Sequence, residues 1–183
     1  MTAIDIDRAR HNQRGYYALA DLEQSAPVSE IALSTGWGEL DEIWKLYPGQ
    51  FTIVTGIPAH GKSTFLLNVI ANIAILHGTK TFMYVPENEQ HLLEKMHRIW
   101  DGRDGFDRFC KEQCFVQSAI PDHFSDEPQD LPWVLSRAVA AIEQDRCDVL
   151  LIDPWNELEF AKHPAMSMTD YIRQCLKYLK MFC

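Results

Sequence analysis

The feature that most constrains this chain is the stretch of residues 51–64, which reads FTIVTGIPAHGKST. Its apolar start, with Phe51, Ile53 and Val54, is typical of a buried β-strand. A match to the pattern GxxxxGK(S/T) follows, and then the apolar run FLLNVIANIAIL, which predicts a buried helix ending near Gly78. A strand, a glycine-containing loop and a helix in this order are typical of a phosphate-binding loop, the Walker A motif. We therefore expect an α/β fold built around a phosphate site.

The residue types in this loop suit the phosphates of a nucleotide such as ATP. The glycines allow the backbone to curl, so that successive N–H groups face phosphate oxygens. Lys62 supplies a positive charge for the β and γ phosphates, Ser63 offers a hydroxyl to Mg²⁺, and the helix dipole adds positive potential. A glycine turn that binds nothing is the alternative, and the flanking strand and helix disfavour it. The predicted nucleotide-binding residues are Gly56, Ile57, Pro58, Ala59, His60, Gly61, Lys62, Ser63 and Thr64.

Two further apolar stretches each lead to a carboxylate. Residues 80–85 predict a strand that delivers Glu87, and residues 149–152 predict a strand, buried on both faces, that ends at Asp153. The carboxyl ends of parallel strands face the ligand crevice, so both carboxylates are expected near the phosphates. An apolar strand ending in Asp downstream of a P-loop is the Walker B pattern, whose carboxylate holds the Mg²⁺ shell. Glu87 is then available, separately from the metal, to orient an attacking water.

Composition narrows the function classes. The chain has 183 residues, 46% of them hydrophobic and 23% charged, which predicts one globular domain with a real core. Its longest apolar run carries Asn68 and Asn72, and its first residues lack an apolar signal core, so we expect no membrane partner and a cytoplasmic location. A net charge of −9 argues against broad adhesion to nucleic acid but allows a local binding channel.

The cysteines show no CxxC pair. Cys110 and Cys114, with His123 nearby, are conceivable metal ligands, but their spacing fits no common zinc pattern and a fourth ligand is not apparent. Reduced, partly buried thiols are the better interpretation. This applies to all five: Cys110, Cys114, Cys147, Cys175 and Cys183.

The order of elements along the chain suggests an arm followed by a core. Residues 1–32 form an N-terminal arm or linker, with a helix over about residues 4–22, and the sequence leaves open whether it is solvated or docks on a neighbouring subunit. Residues 33–183 form the core. Helical spacing over residues 40–47, 92–100 and 131–142 predicts helices, the last of these capped by Asp130. The final helix is capped by Ser167 or Thr169, and Trp37 is more readily a packing residue than a base-stacking one.

Together, the motifs STGW, TGIPAHGKS, PEN and IDPWNEL resemble the RecA-like ATPase domain of hexameric replicative helicases. The likeness is greatest to phage-type and Twinkle-like primase-helicases, with DnaB more distant, and it spans about residues 34–180. It implies a P-loop NTPase with a mostly parallel sheet flanked by helices, in the cytoplasm of a bacterial or phage-infected cell.

The resemblance also implies roles for particular residues. Lys62 and Ser63 would bind ATP and Mg²⁺, Glu87 would polarise the attacking water, and Asp153 would be the Walker B carboxylate. Residues 156–168 correspond to a loop that touches single-stranded DNA at the centre of a homo-oligomeric ring, a hexamer in the full-length form. The expected activity is an ATP hydrolase that couples hydrolysis to translocation on single-stranded DNA in replication.

Departures from the family pattern leave alternatives open. The family continues with a sensor strand, a second DNA loop and an arginine finger, so the chain resembles a core truncated at its C-terminus, lacking the last strands. We expect such a chain to bind nucleotide modestly, to hydrolyse it barely, and to leave apolar sheet edges beside residues 51–55 and 149–152. His60 replaces the small residue usual in the loop. The alternatives are a recombinase-like RecA-family ATPase and a non-catalytic nucleotide-binding or assembly fragment.

Overall fold

A parallel three-stranded sheet lies at the centre of the computed structural model, which describes residues 28–87, 89–117, 128–162 and 164–183. The strands are β1 (Thr81–Tyr84), β2 (Cys114–Gln117) and β3 (Val149–Ile152), in the order β2-β1-β3. The register places Tyr84, the last residue of β1, opposite Gln117 on one side and Ile152 on the other. The carboxyl ends of all three strands therefore lie at one edge.

Helices surround this sheet. A π-helical turn, Phe109–Gln113, leads into β2, and a 3₁₀ turn, Trp155–Glu157, follows β3. No helix in the described part of the chain is long and apolar enough to cross a membrane. The helices are α1 (Val28–Ile31), α2 (Gly38–Asp41), α3 (Lys62–His77), α4 (Glu89–Trp100), α5 (Phe106–Arg108), α6 (Leu131–Asp145) and α7 (Met168–Phe182).

Local sequence signals explain where the long helices begin and end. Asp130 caps α6 by accepting a hydrogen bond from the Trp133 N–H at 3.0 Å, a contact that typically contributes about 1 kcal/mol. Ser167 caps α7 in the same way through the Asp170 N–H at 3.1 Å. Gly78 ends α3 in the left-handed conformation. The predicted caps at Asp130 and Ser167 are thus confirmed.

The core has two sides because side chains alternate along β1. Met83 points to the side that is filled by α3 and α4, where Met96, Trp100 and Phe109 are also buried. Tyr84 points to the opposite side, which is filled by α6, α7 and residues that follow β3. The sheet is consequently a middle layer between helices on both faces, as predicted for a P-loop α/β fold.

The connections that leave β1 and β3 diverge at the carboxyl edge of the sheet. After β1 the chain enters α4 on one face, whereas after β3 it enters a segment with Leu158 packed on the other face. In open α/β sheets, ligands bind where neighbouring strands send their connections to opposite faces. The fold therefore places a natural binding crevice between the ends of β1 and β3.

Helix α3 runs antiparallel to the strands. Its last turn lies beside their amino ends, since the Ala74 carbonyl accepts a hydrogen bond at 3.3 Å from the buried side chain of Gln113, the residue before β2. A helix rises 1.5 Å per residue, so the start of α3 lies roughly 20 Å away in the direction of the carboxyl edge. The amino end of α3 is thereby directed at the edge that holds the crevice.

The predicted strand at residues 51–55 is wrong. This segment belongs to no ladder among the described residues, and Ile53 is 63% exposed. Only Phe51 at its start packs against the cluster formed by Tyr84, α6 and α7. A strand needs a partner with complementary hydrogen-bonding groups, and β3, an edge of the described sheet, pairs there only with β1.

Three other expectations need correction. The helix predicted over residues 40–47 is absent beyond the end of α2 at Asp41, and Ile43 is 84% exposed. Strand β3 packs against apolar side chains on both faces but is less completely buried than predicted, because only Leu151 is buried and Val149, Leu150 and Ile152 are partly exposed. Helix α3 is apolar all round but not buried all round, because Ile75 and Leu76 near its end are exposed. The helix predicted near residues 4–22 lies outside the described residues.

Candidate functional site

The loop between residue 55 and α3 has the backbone shape that its sequence predicts. Gly61 precedes α3 with φ 82°, a left-handed conformation that glycine adopts without strain, and no side chain caps the helix. The first N–H groups of a helix have no partner within the helix, so this end is suited to an anion. Ile57 is 66% exposed, and the rest of the loop is also open to solvent.

Lys62 spans this loop from within. Its Nζ donates hydrogen bonds to the carbonyl oxygens of Gly56 at 3.1 Å and Ile57 at 2.9 Å. Both acceptors are neutral, so a phosphate oxygen would compete for the ammonium group through a stronger, charge-assisted bond. His60 folds back on the same loop, with Nδ1 2.8 Å from the Pro58 carbonyl oxygen, and a carbonyl can only accept. The loop is thus closed on itself by its own lysine and histidine.

The two predicted carboxylates lie at the carboxyl edge, on neighbouring strands. Glu87 follows β1 and is exposed, while Asp153 follows β3 and is half-buried. The Asp153 N–H donates to the Tyr84 carbonyl at 3.0 Å, which extends the β1–β3 pairing by one residue. The structure therefore places Glu87 and Asp153 after neighbouring strands, at the same edge toward which α3 points its amino end.

No preformed metal cage exists in the described residues. They contain no group of three or more His, Cys, Asp or Glu side chains able to hold a metal ion. Cys114 instead lies 3.9 Å from the Met83 sulfur, and burial raises the pKa of its thiol to about 12. Cys110 is also a free thiol with a raised pKa, because of burial and then Asp107, and His123 lies outside the described residues.

The segment predicted to touch DNA, residues 156–168, follows the crevice and is partly anchored. Leu158 is buried, and the neighbouring Glu159 N–H donates to the Gln129 carbonyl at 3.0 Å. Glu157 and Glu159 help to raise the pKa of Tyr84, whose burial is the larger cause. Lys162 is the basic residue of this segment in the described part of the chain, and its Nζ donates to the Met166 carbonyl at 3.2 Å.

A hydrogen-bonded network that sequence reasoning missed supports α3 from the side. Asp41 accepts from the Ser34 hydroxyl and from both the backbone N–H and the hydroxyl of Thr35, the latter two at 2.7 Å. Asn72 of α3 donates to the Thr35 carbonyl at 2.9 Å, and Arg103 donates to the Asn72 side chain at 3.2 Å. The signal in the sequence was the presence of Asn68 and Asn72 in an otherwise apolar helix, because a polar side chain there needs a hydrogen-bond partner.

Aromatic packing strengthens the same contact. Trp37 stacks on Phe65, in the first turns of α3, with ring centroids 5.7 Å apart and planes at 15°. Trp44 also approaches Phe65, at 6.4 Å. The prediction that Trp37 is a packing residue fits this geometry, and the STGW stretch is thereby attached to the amino end of α3 as well as to its middle.

Comparison with known proteins yields two informative similarities. No model of a known protein family matches the chain. A Twinkle homolog protein, chloroplastic/mitochondrial, from Arabidopsis thaliana is 31% identical over 169 residues, covering 84% of this chain and 24% of that protein. A DNA repair protein RAD51 homolog 4 from Bos taurus is 38% identical over 72 residues, covering 38% of this chain and 22% of that protein.

These similarities support a RecA-like helicase or ATPase domain. The three-stranded parallel sheet between helices agrees with a RecA-like P-loop fold. The chain spans less than a quarter of the length of the relatives that it matches, 24% in one case and 22% in the other.

Proposed function

We propose that the chain is the ATP-binding core of a DNA helicase-type motor. The observation that carries the proposal is the convergence at one sheet edge of three features: the amino end of α3 with its loop, Glu87 and Asp153. A phosphate cradle, a water-orienting carboxylate and a metal-binding carboxylate are the parts that phosphoryl transfer to water requires. Residues 33–183 supply all three.

In this proposal the loop binds the phosphates of ATP. Lys62 exchanges its two carbonyl acceptors for oxygens of the β and γ phosphates, and backbone N–H groups of the loop and of the first turn of α3 would face the remaining oxygens. The positive end of the α3 dipole adds to the attraction. His60 must leave the Pro58 carbonyl if that part of the loop moves to accept the nucleotide.

Magnesium fits the oxygen donors that the crevice offers. Mg²⁺ is usually held by one or two protein oxygens together with substrate phosphates and water, so the lack of an all-protein cage in the described residues is what such a site needs. The Ser63 hydroxyl and the Asp153 carboxylate would hold the ion. When bound, it would neutralise charge on the phosphates.

Glu87 is proposed as the residue that orients the attacking water. It is exposed after the end of β1, whereas Asp153 follows β3, so the two carboxylates would have separate tasks. A base for this step must reach the water while the metal is held elsewhere.

The DNA-motor part of the proposal follows from the similarity to the Twinkle homolog and from the IDPWNEL stretch after β3. Single-stranded DNA would contact residues 156–168 in a homo-oligomeric ring, and the cytoplasm is the proposed location. With Glu157 and Glu159 exposed and Lys162 half-buried, such a contact would depend on few charges. A recombinase-like ATPase is the second candidate, favoured by the match to the RAD51 homolog over 72 residues.

Lys62→Ala should weaken Mg·ATP binding by roughly 10- to 100-fold, since it removes a charge-assisted contact of about 1.5–3 kcal/mol. Isothermal titration calorimetry of the wild type and the variant measures this directly. Lys177→Ala is the matched control, because Lys177 is an exposed lysine on α7. Equal affinities for wild type and Lys62→Ala would refute the assignment of the loop.

Single-stranded DNA should raise the rate of ATP hydrolysis if the motor proposal is right. The measurement is ATP turnover with excess protein and trace labelled ATP, with and without oligo(dT), alongside a duplex of the same length. Unwinding of a forked duplex supports the helicase, whereas strand exchange without unwinding supports the recombinase-like alternative. ATP binding without any response to DNA would contradict both and leave the non-catalytic nucleotide-binding role.

A further inference from the structure

We propose that Asn72 and Arg103 are positioning residues that set how α3 and α4 lie relative to each other, and hence where Lys62 and Glu87 meet a bound nucleotide. The inference rests on the proposed function. It concerns neither the phosphate loop nor the crevice itself, but a connection between the two helices that carry their residues.

The two helices begin at the proposed site. Lys62 is the first residue of α3, and Glu87 lies two residues before Glu89, the first residue of α4. Both helices pack on the same face of the sheet, in the cluster around Met83 and Trp100. A helix is stiff, so a change in the tilt of α3 relative to α4 moves their amino ends relative to each other. The distance between phosphate loop and water-orienting carboxylate therefore depends on helix packing.

Arg103 joins the far end of α4 to α3. Its Nε donates to the Trp100 carbonyl at 2.9 Å, which also accepts the Arg103 N–H, and one terminal nitrogen donates to the Ile99 carbonyl at 2.7 Å, so the side chain caps the end of α4. The other terminal nitrogen donates to the Asn72 side chain at 3.2 Å. The guanidinium also lies over the Trp100 ring, 5.6 Å from its centroid. One side chain thus caps α4 and contacts α3.

Asn72 also binds the segment before the phosphate loop. Its Nδ2 donates to the carbonyl of Thr35, a fully buried residue that Asp41 holds through two hydrogen bonds. The approach is close at Gly36, where an added Cβ would lie 2.9 Å from the Asn72 amide nitrogen. Asn72 is therefore fixed on one side by a rigid loop and on the other by Arg103.

This network can fix the relative position of α3 and α4 because Arg103 contacts the end of α4 and Asn72 of α3 at the same time. A residue that only stabilised α3 would need no contact with the cap of α4. Asn68, one turn earlier on α3, illustrates the difference, since its amide donates only within the helix, to the Thr64 carbonyl at 2.8 Å. Asn68→Ala is consequently the matched control.

The test compares affinity for Mg·ADP with affinity for Mg·ADP plus aluminium fluoride, which mimics the transition state and engages the water-orienting carboxylate. Asn72→Ala and Arg103→Ala should each lower the preference for the aluminium fluoride complex by roughly fivefold or more, with Mg·ADP affinity changed less than about twofold. The double variant should lose little more than either single one, because the two residues act through one contact. Arg103→Lys should restore part of the preference. Asn68→Ala should behave as wild type.

Each outcome decides the question. If Asn72→Ala lowers only the free energy of unfolding in urea and keeps the wild-type preference, the residue is structural and the proposal fails. A wild type that binds Mg·ADP through Lys62 but shows no preference for the aluminium fluoride complex also overturns it, leaving the nucleotide site intact. A wild type with no affinity for Mg·ADP overturns the proposed function, and this inference with it.

Discussion

Glu87→Gln should leave Mg·ATP binding close to that of the wild type while lowering ATP turnover by about 10²-fold or more, the usual contribution of a positioned general base. The substitution keeps the size and the hydrogen-bonding shape of the side chain and removes only its charge and basicity. Glu87 is exposed at the end of β1, so little change in folding is expected. Calorimetry gives the affinity, and single-turnover hydrolysis with excess protein gives the rate.

Glu94→Gln is the control for this experiment. Glu94 lies on the outer face of α4, paired with Arg98, and both side chains are largely exposed, so the pair contributes little to stability. Its loss should change neither binding nor turnover. If Glu87→Gln hydrolyses ATP at nearly the rate of the Glu94 variant, Glu87 is a surface residue of the turn and another group must orient the water.

The left-handed turn at Gly61 and the helix that follows it could be predicted because their signals are local. Gly61 adopts a left-handed conformation at the position where the motif places a glycine, and the helix begins at Lys62 as the pattern requires. Asp130 likewise caps α6 through its own third neighbour. Contacts between residues three or four positions apart follow from residue type and spacing, with no knowledge of the fold.

Whether residues 51–55 pair with another strand could not be predicted in the same way, and in the described sheet they do not. Their apolar, β-prone composition is compatible with a strand, but a strand also needs a neighbouring strand with which its backbone can form hydrogen bonds. The prediction for β3 was only partly right for a related reason. A continuous apolar run predicts burial on both faces, and β3 does pack against apolar side chains on both, but it is an edge of the described sheet and only Leu151 is buried.

The contacts of Asn72 with Arg103 and Thr35 could not be predicted from the sequence for a different reason. Asn72 meets residues 31 and 37 positions away, Arg103 and Thr35. Each residue alone has an ordinary explanation, as a polar interruption of a helix, a surface arginine or a turn threonine. Only the packing of α3 against α4 and of the STGW stretch against α3 brings them together, and neither packing is encoded in a short motif.

The second large effect on ATP turnover is expected from Asp153, the proposed ligand of Mg²⁺. Asp153→Asn should lower ATP turnover by roughly 10²-fold or more, because a bound metal ion contributes several kcal/mol of charge stabilisation in the transition state. Asparagine retains an oxygen of similar position but removes the negative charge that favours Mg²⁺. The backbone contact from the Asp153 N–H to the Tyr84 carbonyl, 3.0 Å, does not involve the side chain and should persist. Titrating MgCl₂ at fixed ATP should show a higher Mg²⁺ requirement.

The same strand supplies the control that makes this result interpretable. Asp148 lies at the amino end of β3, where its carboxylate accepts the Lys80 N–H at 2.9 Å. It has the same chemistry as Asp153 and lies at the other end of a four-residue strand, away from the crevice. Asp148→Asn should cost some stability but leave the Mg²⁺ requirement and the turnover of the folded protein unchanged. If the two variants respond to Mg²⁺ alike, the carboxyl edge of the sheet has no special relation to the metal, and the assignment of Asp153 is wrong. A shift confined to Asp153→Asn, absent when ATP binding is measured in EDTA, would locate the metal at the end of β3.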